Sequence, residues 1–331
     1  MSTDQFKKII STNKQKYREF CRSQHNLPIF YYPEWLNITT SGGEWDVVLT
    51  MDNAQNITAC LPYFVTIKYG QRAIIMPPLT PYGGVFIIQN NAIKQESSIK
   101  NEKALIAELI GGLPKRIVYF SQSFYYNFSN WLPFYWKKYQ QTTRYSFVIE
   151  GLDKWSMADV ATNIRNKIRK ADQDLTIKEL HDPKIVYQQL YDVLEHKNIH
   201  LALSEETFIK LDTWLKTKDK RLILGAVDHS GQVFASIYLI FDQGIAYSLM
   251  IGSDINQRQN GSVPFLIYHA ILAAQQRCNT FDFEGSMLES LFDLFAGFGG
   301  ELKPYHRIYK AKNIFWDIAY RIKSYYDKSN R

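Results

Sequence analysis

The sequence predicts an α+β protein of two tandem domains, each a mixed, mostly antiparallel sheet flanked by helices. Three observations predict it. The chain has 331 residues, and a domain takes about 150. Apolar residues make up 46% and charged residues 21%, a balance that builds cores and excludes a disordered chain. Both halves repeat one order of elements: helix, antiparallel strands, helix, strand. No short fixed period is present, so a solenoid is excluded. The halves are expected to join near Tyr145–Gly151, giving domains over residues 1–148 and 149–331.

In the first half, Asp4 to Arg22 is polar, lysine-rich and predicted helical. An aromatic segment broken by Pro28 and Pro33 comes next. WDVVLTMDNAQNITACLPYFVTIKYGQRAIIMPP reads as three short strands, with turns at DNAQN and YGQR. Pro81 and Gly83-Gly84 mark a further turn. Lys100 to Ile110 reads as a helix closed by Gly111-Gly112. RIVYFSQS is a strand, and the stretch ending in RYSFVIE holds at least one more.

The pattern restarts at Gly151. Trp155 to Ala171 carries Val160, Ile164 and Ile168 on one helical face. DLTIKEL is a strand. Lys184–Glu195 and Ser204–Lys216 are helices, with Ser204 as a candidate N-cap. RLILGAVDHSGQVFASIYLIFDQGIAYSLMIGSD reads as three antiparallel strands joined at DHSG and FDQG. NGSVPFLIYHAILAAQQR is a helix, TFDFEGS a strand, MLESLFDLFAGF a helix, and HRIYKAK leads into a terminal helix.

Composition narrows the function classes. Lys and Arg number 39 against 32 Asp and Glu, a net charge of +7. That surplus favours an anionic partner such as a nucleotide, a coenzyme or RNA. Aromatics reach 15%, which predicts aromatic-filled cores. Cys21, Cys60 and Cys278 have no zinc or disulfide spacing, and free thiols fit a reducing cytoplasm. His196 and His200 stand four apart without the Glu of a zinc-protease motif, so no metal is expected. The polar start lacks a signal-peptide core, and no run approaches the ~18 apolar residues of a membrane span. A cytoplasmic protein is expected.

One turn has the chemistry of an anion site. SLMIGSD runs through INQRQNGSVPF directly into a helix. A helix start offers free N–H groups and a positive dipole end. Arg258 adds a full charge, Gly261 permits close backbone approach, and Pro264 suits the first turn. The alternative is an ordinary strand-to-helix turn.

Arg258-Gln259-Asn260-Gly261-Ser262 resembles the pyrophosphate loop of the GNAT N-acyltransferase superfamily, whose pattern is Gln/Arg-x-x-Gly-x-Gly/Ala; Val263 takes the last position here. More of the chain resembles the FemAB-like branch of that superfamily. The matching stretches are IFYYPEWL, PPLTPYGG, NIRNKIRKADQDLTI, FDFEGS and FGGELKPYHRIYK, which span both halves in order. The resemblance implies two tandem GNAT-like domains and N-acyl transfer onto an amine. Known members of the branch include aminoacyl-tRNA-dependent ligases acting on peptidoglycan precursors. Those ligases carry Phe-Lys-x-x-Phe-Gly near the C-terminus, and here Phe295 stands in place of the Lys. That replacement favours acyl-coenzyme A as the donor over aminoacyl-tRNA.

Three further candidates complete the site. Arg165, Arg169 and Lys170 form a basic helical cluster suited to an anionic acceptor at the cleft between the domains, or else a solvated cationic face. In FDFEGS, strand alternation sets Asp282 and Glu284 opposite Phe281 and Phe283. Glu284 is the candidate base, since amide formation must remove a proton from the amine; its plain alternative is a helix cap. Tyr305 is the candidate proton donor to the leaving group, with core packing as its alternative. The terminal stripe Phe315, Ile318, Ile322 and Tyr325 would pack on its own domain or lie on an anionic membrane surface.

The sequence therefore reads as a cytoplasmic N-acyltransferase. It would move an acyl group from acyl-coenzyme A to a small-molecule or cell-envelope-precursor amine, with Arg258–Ser262 holding the donor. The alternatives are an aminoacyl-tRNA-dependent ligase and a non-catalytic binding protein that keeps the fold.

Overall fold

The computed structural model describes residues 12–24, 26–68, 70–88, 95–256, 261–284, 287 and 289–319. The chain divides into two compact units, Met1–Thr142 with His306–Asp317, and Thr143–Tyr305 with Ile318–Arg331.

The elements of the first unit are α1 (Thr12–Ser23), α2 (Pro33–Thr39), β1 (Glu44–Met51), β2 (Ile57–Lys68), β3 (Gln71–Ile75), β4 (Phe86–Ile87), α3 (Gln95–Gly111), β5 (Tyr119–Ser123) and α4 (Leu132–Trp136). The three expected strands are β1, β2 and β3, paired antiparallel in sequence order. Asp52 makes the first turn: its Oδ1 accepts the N–H groups of Ala54 and Asn56 at 2.9 and 2.8 Å. The β5 strand joins β3 in parallel. The core gathers Val48, Leu61, Ile74, Ile106, Phe120 and Phe134. Buried aromatics such as Trp35, Trp45, Tyr82 and Phe124 fill the unit, as the composition predicts.

The chain then runs through β6 (Gln140–Glu150), α5 (Thr162–Ala171), β7 (Leu175–Glu179), α6 (Lys184–His196), α7 (Glu205–Thr217), β8 (Arg221–Asp228), β9 (Val233–Asp242), β10 (Ile245–Ser253), α8 (Ser262–Gln275), β11 (Thr280–Asp282), α9 (Glu289–Ala296) and β12 (Glu301–Ala311). The end of β12, Arg307–Ala311, pairs with β5 in the first unit. In the second unit the strand order is β12-β6-β11-β10-β9-β8-β7. All these pairs with a determined register are antiparallel except β10 with β11, which is parallel. Helices α5 and α8 pack together and cover one face, burying Ile164, Ile168, Phe265, Ile267 and Ile271 with Phe147, Ile149 and Phe281 of the sheet.

One local expectation changes. The single helix read over Trp155–Ala171 is a 3-10 turn at Met157–Asp159 and then α5. Val160 is extended between them, because the Ala161 N–H is drawn to Gly297 O at 2.7 Å. His196 ends α6, so His196 and His200 do not share a helix.

Candidate active site

The strand read over TFDFEGS ends at Asp282. Its short pairing with β6 sets the direction of each side chain. Phe281 sits opposite Ile149 on β6 and Asp282 opposite Val148. Phe281 therefore faces the core, and Asp282 faces the other side of the sheet. Ser146 and Arg144 lie on that same side of β6, because alternation sends Phe147 and Ile149 into the core. Ser146 is the diagonal neighbour of Asp282, and its Oγ donates a short hydrogen bond to Asp282 Oδ1. Both residues are fully buried.

Asp282 also turns the chain. Its Oδ1 accepts the backbone N–H of Glu284 at 2.7 Å. Glu284 has φ 61°, the left-handed region that a non-glycine residue enters at a cost of about 1–3 kcal/mol. Without that turn, Glu284 would continue the strand as a simple alternating position. Glu284 is partly buried. Burial first, and then the charge of Asp282, push its carboxyl well above the ordinary carboxylate range. Once ionised, such a carboxylate is a stronger base than a solvated glutamate.

Tyr305 belongs to the same cluster. It lies on β12, the neighbour of β6. Burial raises its phenol, while a hydrogen bond from Arg144 and that residue's charge oppose the rise. Asp282 and Glu284 act on it electrostatically and raise it further. Glu284 and Tyr305 are thus close enough to interact electrostatically. The structure adds Asp282, Ser146 and Arg144, which the sequence reading did not assign to the site. Asp282 carried the one available signal, as a carboxylate alternating with two phenylalanines.

Beside this cluster the parallel pairing ends with β11. The β10–β11 ladder pairs only Ile245–Tyr247 with Thr280–Asp282, yet β10 continues to Ser253. The β9–β10 register shifts between Ser248 and Met250. Ser248 Oγ is buried there with no hydrogen-bond partner among the described residues, a group that a ligand's polar atom would satisfy.

The candidate donor loop comes after β10. Arg258, Gln259 and Asn260 lie outside the described residues. Gly261 is the N-cap of α8 with φ 76°. A Cβ there would lie 2.7 Å from the Lys167 carbonyl oxygen, so both conformation and space demand glycine. Ser262 opens the helix and is buried, with Pro264 in the first turn. The helix start offers free backbone N–H groups to an anion, and the Ser248 hydroxyl offers a buried polar group.

The basic helix sits against this loop through Lys167. Arg165 is half-buried and its Nη2 donates to Thr162 Oγ1 at 3.0 Å, while Arg169 and Lys170 are exposed. Phe295, at the position of the ligases' lysine, is buried and stacks on Phe283 with ring centroids 4.5 Å apart. That position is core here. Among the described residues no group of three or more His, Cys, Asp or Glu side chains is arranged to hold a metal ion.

No family model matches the sequence, and no curated protein matches it. Solved structures do match its fold. FemX is 12% identical, with a TM-score of 0.57 over 90% of this chain and 96% of that one. A tandem GNAT protein from the clavulanic acid biosynthesis pathway is 8% identical, with a TM-score of 0.52 over 83% of this chain and 93% of its own. L-PGS from Bacillus licheniformis is 12% identical, with a TM-score of 0.51 over 85% and 92%. At such identities the likeness is one of fold. The chain has the FemAB-like, GNAT-type fold, a mixed sheet with flanking helices shared with FemX and a tandem GNAT protein.

Proposed function

We propose that the protein is an N-acyltransferase that moves an acyl group from acyl-coenzyme A to an amine. One observation carries the reading: Glu284 is held in a left-handed turn with a raised carboxyl, just past the end of β11. The amine nitrogen attacks the thioester carbonyl, the C–N bond forms and the C–S bond breaks. Glu284 takes the proton leaving the amine, directly or through a water. Tyr305 gives its hydroxyl proton to the departing sulfur, and the proton taken up by Glu284 restores it through solvent. Arg258 to Ser262 and the start of α8 hold the donor phosphates. Arg165, Arg169 and Lys170 hold an anionic acceptor, a small molecule or a cell-envelope precursor.

The core packing of Phe295 supports acyl-coenzyme A over aminoacyl-tRNA as donor. The tandem GNAT neighbour supports it too, since its structure is described as being without AcCoA. Free Cys21, Cys60 and Cys278 fit a reducing compartment, and we place the reaction in the cytoplasm.

The test is thiol release from acetyl-coenzyme A in the presence of a panel of amines, beside calorimetry of coenzyme A binding. Arg258→Ala should weaken that binding by about 1–3 kcal/mol. Binding without turnover on any amine favours a protein that keeps the fold as a binding module. Equal affinity in wild type and variant removes the loop from the site.

A further inference from the structure

The outward face of α3 and α4 takes no part in this chemistry. On α4, Leu132, Tyr135 and Trp136 are 49%, 57% and 52% exposed. Spacings of three and four residues set them on one side of the helix. Pro133 and Phe134 are buried and anchor the other side. On α3, Ile99 is 55% exposed. Lys103, one turn further on, holds its Nζ 5.2 Å from the centre of the Trp136 ring. The two helices therefore present one continuous patch of aliphatic and aromatic side chains.

Lysines lie next to it in the chain, with the half-buried Glu102 among them. Lys100, Lys103, Lys137 and Lys138 are all exposed. Lys310 of β12 donates to the Lys137 carbonyl at 2.7 Å and lies 4.8 Å from the Tyr139 ring. Leu132 to Lys138 contains no acidic residue. A little beyond Lys310, Lys312, Ile314 and Phe315 are also exposed, the last two at 71% and 66%.

This combination suits one environment. Tyr and Trp rings favour the boundary between headgroups and acyl chains, where an apolar body and a polar edge are both satisfied. Leucine and isoleucine gain by leaving water for that layer. Lysine stems lie along apolar surface while their ammonium groups reach the phosphates. No helix among the described residues is long and apolar enough to cross a membrane, so the contact is peripheral. We propose that this face of α3 and α4 docks on an anionic membrane surface, with Leu132, Tyr135 and Trp136 entering the headgroup layer and Lys100, Lys103, Lys137 and Lys138 meeting lipid phosphates.

The test uses the full chain and sedimentation with vesicles of phosphatidylcholine alone or mixed with phosphatidylglycerol. Binding should require phosphatidylglycerol and weaken as salt rises. Lys137→Glu with Lys138→Glu should lower the partition coefficient by at least about tenfold, since each lysine near such a surface contributes about 1 kcal/mol. Tyr135→Ser with Trp136→Ser should lower it at both low and high salt. Because these side chains are exposed, both variants should keep the wild-type circular dichroism and melting temperature. No binding to anionic vesicles at low salt overturns the proposal. So does binding that both variants leave intact, or self-association in place of vesicle binding that the Tyr135 and Trp136 changes abolish.

Discussion

Asp282 accepts the backbone N–H of Glu284 at 2.7 Å, so a fully buried carboxylate folds back onto the chain two residues ahead. The contact has two consequences. It stabilises a left-handed turn that glutamate otherwise avoids, and it places a negative charge beside the Glu284 carboxyl.

Asp282→Asn separates those roles. Asparagine keeps an oxygen for the Glu284 N–H and removes the charge. Glu284, freed of part of the repulsion that raises it, should ionise at lower pH. The acidic limb of the pH–rate profile should move down, with kcat at optimal pH changed less than the limb. A limb that stays in place would reduce Asp282 to a backbone cap.

Glu284→Gln keeps shape and cannot take a proton. Turnover should fall by about 10²–10⁴-fold with donor affinity little changed. Stability offers a readout independent of any substrate. The folded carboxyl titrates above the unfolded value of about 4.3, so between those pH values the native state holds a proton that the unfolded chain lacks. Its stabilising contribution is complete below about pH 4.3 and is lost as pH rises through the folded pKa. Gln lacks that dependence, so the variant should gain stability relative to wild type as pH climbs. Parallel denaturation curves across that range would contradict the raised carboxyl.

Gly261→Ala tests the start of α8. The new Cβ would meet the Lys167 carbonyl at 2.7 Å, in a conformation of φ 76°. Backbone cannot yield as a side-chain tip does, so α5 or the loop must shift. We expect a loss of about 1–3 kcal/mol in urea unfolding and weaker coenzyme A binding. Wild-type values for both would show that the turn relaxes freely.

Asp212→Ala probes the far side of the second unit's sheet. Asp212 Oδ1 lies 3.0 Å from Arg221 Nε and accepts the Tyr238 hydroxyl at 2.9 Å, all three residues being buried. Truncation strands a buried guanidinium, which costs about 3–5 kcal/mol. Asp212→Asn, which keeps the hydrogen-bond acceptor, should cost less. A loss within experimental error for the alanine variant would mean that Arg221 finds another partner.

Much of this was legible in the sequence, and the reason is periodicity. Val160, Ile164 and Ile168 announce a buried face, and all three are buried. Turn chemistry announces the hairpins at Asp52 and Asp228, where the side chains accept the turn N–H groups. Gly261 before a helix announces close backbone approach, and the Lys167 carbonyl is what approaches it. Each signal is local: it depends on residues a few positions apart.

The grouping of Ser146, Asp282, Glu284 and Tyr305 was not legible in that way. It exists because β11 inserts between β6 and β10, and β12 lies on the other side of β6. Ser146 and Asp282 stand 136 positions apart in the chain, and alternation says which face each occupies without saying which strands are neighbours. The break before α5 has the same origin, a backbone bond from Ala161 to Gly297. The sequence by itself determined the α+β class, the helical stripes, the turns and the presence of a carboxylate beside phenylalanines. Only the tertiary structure decided that Glu284 leaves its strand in a left-handed turn and acts electrostatically on Tyr305, because that outcome depends on a buried hydrogen bond and a strand order that no local pattern encodes.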